Sequence, residues 1–142
     1  MILVDDALLL GVLAGTVSLP SLGPVAENVA TTGSWYWRLT RAVLDDRSTG
    51  SLTQAFIRLP SDDQQRVRES LRLLPAEIGL LSFRRVVPVM AALDSGPRRL
   101  NLLTAEAVAS ALLLEAEITV TTRSTLLDDA CDRLGIQVHL IA

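Results

Sequence analysis

Some segments of the chain are continuous apolar runs, and others carry apolar residues at helical spacing. The first apolar run is the clearest of these patterns. Residues 1–4 are apolar and end abruptly at Asp5 and Asp6. Such a run is typical of a buried strand of a parallel sheet that meets a loop. Residues 7–14 then have the composition of an apolar helix. Residues 15–33 carry proline, glycine and several hydroxyl side chains, which predicts loop or short turns.

The middle of the chain predicts helices. Spacing and breaker residues indicate helices over residues 34–44, 51–59, 61–74 and 80–93. Ser34 is the expected N-cap of the first of them. Pro88 is expected to kink or restart the last one, because proline lacks the backbone N–H that a helix interior needs. Residues 94–97 read Asp-Ser-Gly-Pro and predict a break.

The last third predicts alternating helices and strands. Helices are expected over residues 104–114 and 124–134, the second capped by Ser124 and ended by Gly135. Strands are expected over 117–121 and 136–141. This order indicates a βαβ unit of a parallel sheet. We predict an α/β fold, a three-layer α/β/α sandwich with a central parallel sheet and a helix-rich middle section. A length of 142 residues fits a single domain, 1–142.

Composition and charge restrict the chemistry. All 13 cationic side chains are arginine, so mechanisms that need a catalytic lysine are excluded. A net charge of -3 argues against a broad electrostatic surface for nucleic acid, although a local basic groove stays open. The apolar run 7–19 is too short for a bilayer and follows acidic residues, so a cytoplasmic protein without membrane contact is expected. Cys131 is expected in the core, and His139 in the core or at a sheet edge.

Asp5 and Asp6 are the strongest candidates for a site. They follow the first predicted strand, and ligand sites of open α/β sheets lie at the carboxyl ends of the strands. Carboxylates at this edge suit Mg²⁺, which prefers oxygen ligands. The alternative is structural: Asp6 caps the following helix and Asp5 forms a hydrogen bond within a turn.

Two families place acidic residues after the first strand. Residues 1–6, Met-Ile-Leu-Val-Asp-Asp, look like the start of a response-regulator receiver domain. Receiver domains also need an aspartate at the end of a middle strand and a lysine near the last strand. This chain has no lysine and a helical middle, so the receiver interpretation is disfavoured.

The other family is carried by both ends of the chain. Residues 2–13 form a strand, an aspartate and an apolar helix. Residues 103–116 form an alanine-rich helix, and residues 118–141 continue as strand, helix and strand, with Leu-Gly-Ile-Gln-Val at 134–138. This order resembles the PIN domain, which includes the toxin ribonucleases of VapBC toxin–antitoxin pairs. The resemblance covers about the first 15 and the last 40 residues.

The acidic positions of that family are only partly filled. Asp5 matches the aspartate of the first strand. In the alignment that we favour, the acid before the alanine-rich helix falls on Thr104 and the aspartate of a Thr-x-Asp motif falls on Ser124. Glu106 lies about 200° around the helix from Thr104 and serves only if the helix begins in another register. The segment expected to supply a middle acid holds instead three other residues, Trp35, Trp37 and Arg38.

The resemblance implies specific functions. Active members use carboxylates to hold Mg²⁺ or Mn²⁺ ions, which activate water to cleave RNA. It implies Asp5 as the catalytic and metal-binding residue, with Asp6 and Glu106 as further metal ligands. It also implies RNA as substrate, an antitoxin protein as partner and a homodimer. Because Thr104 and Ser124 replace acids, we expect either a toxin-type ribonuclease or a non-catalytic PIN-like module that binds protein or RNA. An unrelated α/β scaffold is the third hypothesis.

Basic and aromatic residues are the candidates for nucleic-acid contact. The doublet Arg98-Arg99 is expected to contact phosphates, with solvated surface as the alternative. The aromatic cluster at residues 35–37 is expected either to stack bases or to contact a partner, with about half of it in the core.

Overall fold

A computed structural model describes residues 1–23, 27–93 and 99–141. Within these ranges, five strands form one parallel sheet in the order β3-β2-β1-β4-β5. Seven α-helices and a short 3₁₀ turn, Leu19–Leu22, connect them. The strands are β1 (Ile2–Val4), β2 (Val29–Thr31), β3 (Gly79–Leu80), β4 (Glu117–Val120) and β5 (Val138–Leu140). The helices are α1 (Asp6–Ala14), α2 (Gly33–Leu44), α3 (Ser51–Ile57), α4 (Ser61–Arg72), α5 (Phe83–Leu93), α6 (Leu102–Leu114) and α7 (Thr125–Leu134).

The sheet separates two hydrophobic clusters. Ile2 and Val4 pack on one face, in a cluster with side chains of α1, α3 and α4. Leu3 points to the opposite face, in a cluster with side chains of α5, α6 and α7. Successive side chains of a strand point to opposite faces, so β1 contributes to both clusters. The predicted α/β fold with a central parallel sheet between helical layers is confirmed.

The helices differ in how far they are buried, and their sequences explain the difference. Seven of the nine residues of α1 are buried, as are eight of the thirteen of α6. Both helices are apolar nearly all round, which suits a helix enclosed in the core. By contrast, α2, α4 and α7 each bury two or three residues and present charged faces outward. None of the helices in the described ranges has the length and apolar character needed to span a membrane.

Two strands in the middle of the chain were not predicted. β2 contains three residues and β3 only two, and both lie within segments rich in turn-forming residues. The prediction of loop over residues 15–33 is therefore wrong at 29–31. The predicted helix over 80–93 begins at Phe83, because Leu80 pairs with Thr31 in the sheet. Pro88 lies inside α5, which is continuous and does not restart there. Residues 94–97, the predicted break, lie outside the described residues.

The predicted helix caps are confirmed at α7 and wrong at α2. Ser124 caps α7, and Gly135 ends it in the left-handed region at φ 71°. At α2 the N-cap is Thr32 instead of Ser34, with the Thr32 hydroxyl accepting from the Trp35 N–H. Sequence spacing rarely fixes a helix boundary to one residue, and here the difference is two.

The strand order locates the most suitable place for a ligand. β1 is central and pairs with β2 on one side and β4 on the other. The chain leaves β1 toward β2 and β3, and then crosses to β4 on the other side. The carboxyl ends of β1 and β4 thus border the point where the winding reverses, which is where open α/β sheets form their ligand crevice. Val4 is level with Thr119, so Asp5 and Asp6 emerge beside the end of β4.

Candidate functional site

Asp5 joins the end of β1 to the start of α1 and to the end of β4. Its Oδ1 accepts a hydrogen bond from the Leu8 N–H at 3.0 Å, which makes it the N-cap of α1. Its Oδ2 accepts from the Thr121 N–H at 2.7 Å and from the Thr121 hydroxyl at 2.8 Å. The side chain is buried. Both carboxylate oxygens therefore serve the fold. The structural alternative in the sequence analysis expected Asp6 to cap the helix, and the structure shows that Asp5 is the cap.

Asp6 has one oxygen without a hydrogen bond. Its Oδ1 accepts from the Ala7 N–H at 2.8 Å. Its Oδ2 is buried and accepts no hydrogen bond from the described residues, although Arg38 Nε lies 3.4 Å away. The pair is thus an ion contact without hydrogen-bond alignment. Burial raises the pKa of Asp6 above 3.8; the Arg38 charge opposes this rise and the Asp5 charge adds to it.

A cavity at the reversal point brings several of the predicted residues together. It has a volume of about 260 Å³ and is bordered by Asp5 and Asp6, and by Thr104 and Ser124. Thr104, at the start of α6, is buried, and Ser124 caps α7. The four positions singled out at both ends of the chain, two acidic and two hydroxylic, therefore face one space. Arg38 and Arg123 also line this cavity.

Glu106 is not among the residues that line this cavity. Its Oε2 accepts from the Gly33 N–H at 2.8 Å and its Oε1 from the Ser34 N–H at 2.9 Å. It is 1% exposed, and its charge lies at the N-terminus of α2, where the helix dipole favours an anion. A Cβ at position 33 would lie 3.1 Å from Oε2, so glycine permits the close approach. The carboxylate of Glu106 thus holds α6 against α2.

A second cavity, of about 480 Å³, shares Asp6 and Arg38 with the first. We call it the Asp6–Arg38 cleft and define it by Asp6, Trp37, Arg38 and Arg41. Its lining also includes five residues with hydroxyl side chains: Ser48, Ser51, Thr53, Thr121 and Thr122. Trp37 is 59% exposed, and the Arg41 guanidinium lies over its ring, 5.4 Å from the centroid. Sequence reasoning noted Arg38 only as a substitute for an acid and did not select Arg41 or Arg123. The spacing of three residues between Arg38 and Arg41 on α2 was the available signal for these two residues.

The basic doublet is only partly described. Arg98 lies outside the described residues. Arg99 is exposed and is not among the residues that line the two cavities. A third cavity, of about 470 Å³, is mainly apolar and is lined by Trp37, Phe83 and Leu102, among others.

The donor set around Asp5 and Asp6 does not fit a catalytic metal ion. Within the described part of the chain, no group of three or more His, Cys, Asp or Glu side chains could hold a metal. Asp5 uses both oxygens in hydrogen bonds to the fold, and the free oxygen of Asp6 faces a guanidinium. A divalent cation beside Arg38 would meet like charge, so these residues favour an anion or a neutral donor over Mg²⁺.

Two other reactive side chains have structural surroundings. Cys131 is buried in the core, as predicted, and burial first, then Asp128 and Asp132, raises the pKa of its thiol to about 12. It therefore stays a protonated thiol at neutral pH. His139 lies on the edge strand β5, with Nε2 3.5 Å from Glu117 Oε1. This edge position agrees with one of the two places expected for it.

No family model matches the chain, and no curated protein matches it. The resemblance to the PIN domain therefore rests on the residues quoted above.

Replacing Glu106 tests whether this carboxylate is structural. Glu106→Ala should lower the free energy of unfolding by about 2–4 kcal/mol, because two N–H groups of α2 lose a charged acceptor. Urea denaturation measures it, with and without Mg²⁺. Glu69→Ala, at an exposed position of α4, is the control and should change stability by less than about 0.5 kcal/mol. A loss of stability seen only with Mg²⁺ present would instead make Glu106 a metal ligand.

Replacing Asp6 tests the cost of its buried charge. Because the folded-state pKa of Asp6 is raised, its stabilising contribution is present below pH 3.8 and is lost as pH rises through the folded value. Asp6→Asn is neutral throughout, so its stability relative to wild type should improve between pH 3.5 and pH 7. Urea midpoints at both pH values measure this, with Asp46→Asn on the exposed loop after α2 as a control for net charge. A relative stability that falls with pH contradicts the burial cost.

Proposed function

We propose that this protein is a PIN-like module that binds RNA without cleaving it, and that the Asp6–Arg38 cleft is its binding site. The observation that carries the proposal is the contact of Arg38 Nε with Asp6 Oδ2 at 3.4 Å. In an active member of the family, a metal ion would neutralise carboxylates at this edge. Here a guanidinium supplies the positive charge, and it comes from the segment that should have carried another acid.

The arrangement of the matched positions supports the PIN-like part of the proposal. Asp5, Thr104 and Ser124 are the positions that the resemblance aligned with family acids, and they border one cavity. They lie at the N-cap of α1, near the start of α6 and at the N-cap of α7, so the sequence order alone did not require them to meet. Two of the three carry hydroxyls, which bind a divalent ion far more weakly than carboxylates do.

The cations around the two cavities support an anionic ligand. Arg38 and Arg123 keep 52% and 71% of their side chains exposed, so their guanidinium groups are accessible from solution. The planar guanidinium matches phosphate in a two-bond contact. Thr122 and Ser124 line the same cavity as these arginines and carry hydroxyls, whereas the Thr121 hydroxyl already donates to Asp5. The protein carries a net charge of -3, so attraction to RNA is confined to this local groove.

The same proposal includes three expectations that follow from the toxin-type resemblance. These are an antitoxin protein as partner, a homodimer and a cytoplasmic location. The support for a protein contact is the third, apolar cavity. Trp37, Phe83 and Leu102 line it and are 59%, 50% and 62% exposed. Exposed apolar side chains that cluster around one cavity are typical of protein contact surfaces.

An active Mg²⁺- or Mn²⁺-dependent endoribonuclease is the second candidate. It is favoured by Asp5 and Asp6 facing the same cavity, since Mg²⁺ in phosphoryl chemistry often has only one or two protein carboxylates and takes other oxygens from the substrate. It is disfavoured by the hydrogen bonds that occupy Asp5 and by the charge of Arg38.

Arg38→Ala tests the proposed binding site. We expect it to weaken binding of a single-stranded RNA about tenfold, because one charge-assisted contact to phosphate is lost. The slope of log affinity against log salt should fall in magnitude by about 0.7. Fluorescence anisotropy over a range of salt concentrations measures both. Arg133→Ala, at the far end of α7 from Ser124, is the matched control. Equal effects of the two substitutions, or no RNA binding by the wild type, would remove the proposal.

A further inference from the structure

We infer that the third cavity binds an acidic amphipathic helix of another protein, which places apolar side chains in the cavity and carboxylates against neighbouring arginines. This inference rests on the protein contact in the proposed function and is independent of RNA binding. The cavity has a volume of about 470 Å³. Residues from the first two turns of α2 and from the first turns of α5 and α6 line it.

Exposed apolar side chains are the first observation. Trp37, Phe83 and Leu102 line one cavity, yet each is at least half exposed. Large apolar side chains that are exposed together mark a surface that another molecule covers. A concave apolar surface suits the side chains of a helix that lies in a groove, spaced at i, i+3, i+4 and i+7. A membrane surface would instead need apolar side chains that protrude into it.

The charge of the surrounding segments is the second observation. Residues 33–44, 79–93 and 99–105, which form the cavity, contain no acidic residue and five arginines: Arg38, Arg41, Arg84, Arg85 and Arg99. Arg84 and Arg85 directly follow Phe83 and are exposed. The next acid along α6, Glu106, is buried and bonded to the backbone of α2. The whole chain has a net charge of -3, so these segments are opposite in sign to the rest of the protein.

Three of these arginines are available to a partner. Arg38 already contacts Asp6 at 3.4 Å. Among the described residues, no carboxylate lies within ion-pair distance of Arg84, Arg85 or Arg99. The N-termini of α5 and α6 also meet at the cavity, and the positive end of a helix dipole favours an anion. Carboxylates that flank an apolar helix face would therefore find unpaired positive charge beside the cavity.

The same charge disfavours a second copy of this chain as the occupant. A two-fold symmetric dimer places the same patch of both subunits together. The arginines around Phe83 would then face the arginines of the other copy, and like charges at an interface repel. A partner with carboxylates beside its apolar side chains complements both features of this surface.

The test uses two synthetic fluorescein-labelled helical peptides that differ only in charge. Both carry leucine at i, i+3, i+4 and i+7, and the remaining positions are all glutamate in one peptide and all lysine in the other. Anisotropy with the full wild-type chain measures binding. The glutamate peptide should bind about tenfold more tightly than the lysine peptide, because only its charge is opposite to that of the arginines. Its affinity should fall as the salt concentration rises.

Substitutions in the cavity test the apolar contact. Phe83→Ala and Leu102→Ala should each weaken binding of the glutamate peptide about tenfold, because each removes an apolar side chain that the peptide covers. Leu73→Ala is the matched control, since Leu73 is also an exposed apolar side chain but is not part of the cavity lining. It should leave the affinity unchanged.

Substitutions of the neighbouring arginines test the charge. The double variant Arg84→Gln and Arg85→Gln should weaken the glutamate peptide about tenfold and bring its affinity close to that of the lysine peptide. Arg133→Gln, at the exposed end of α7, removes positive charge elsewhere and should preserve the preference for glutamate.

Equal binding of the two peptides by the wild type, or equal effects of Phe83→Ala and Leu73→Ala, would overturn the inference. A homodimer in analytical ultracentrifugation that Phe83→Ala dissociates would assign the cavity to a second copy. Co-sedimentation with phosphatidylserine vesicles that Phe83→Ala abolishes would assign it to a membrane surface. Either of these results would also overturn the inference.

Binding of an oligouridylate RNA to the same samples separates this inference from the proposed function. If the RNA binds and the glutamate peptide does not, only this inference fails. If the glutamate peptide binds with the expected preference and the RNA does not, RNA binding fails and the acidic partner stands.

Discussion

The carboxylate of Asp5 holds the centre of this structure together. It receives the Leu8 N–H of α1 on one oxygen and both donors of Thr121 on the other, so β1, α1 and the end of β4 meet at one buried side chain. The positions of the residues around the crevice depend on these hydrogen bonds of Asp5. The direction in which α1 leaves the sheet sets the position of Asp6, and the position of Thr121 sets where Thr122, Arg123 and the cap of α7 lie. A buried charge is tolerable there because its hydrogen bonds are supplied by the backbone and one hydroxyl.

Most of the acidic groups that suggested a metal site have structural tasks. Asp5 caps α1, and Glu106 caps the first turn of α2 from the neighbouring helix α6. That leaves Asp6, whose free oxygen faces Arg38. A crevice bordered by accessible guanidinium groups suits a phosphate-containing ligand. It does not suit a divalent cation held among several carboxylates.

The fold was predictable where the local signals were strong. The apolar run 1–4, the alanine-rich helix and the Ser124 and Gly135 caps each place a buried element or a helix end, and the structure agrees with them. β2 and β3 were missed because strands of three and two residues leave no periodic pattern, and the pairing of β2 with β1 and of β3 with β2 is a long-range effect. Pro88 within α5 was expected to disturb the helix. Packing of Val86 and Met90 in the core offsets the backbone bond that proline cannot make.

The site was predictable only in part, for a related reason. Strand order decides which loops meet, so Asp5 could be chosen from its place after a strand, whereas its partner Thr121 could not. The role of Glu106 depends on α6 lying across the start of α2, which no spacing within either helix reveals. Arg38 was noted only because it stands where the family has an acid, and Arg41 was not selected; the structure places Arg38 beside Asp6 and Arg41 over Trp37.

The most direct test of the account is incubation of the wild-type protein with single-stranded RNA in Mg²⁺ or Mn²⁺. Cleavage products are followed while metal binding is measured by calorimetry on the same sample. The account predicts that the RNA is bound and stays intact, and that no metal binds to the crevice. Metal-dependent cleavage that Asp6→Asn abolishes would contradict it, and would show that the carboxylates at the end of β1 still serve a nuclease.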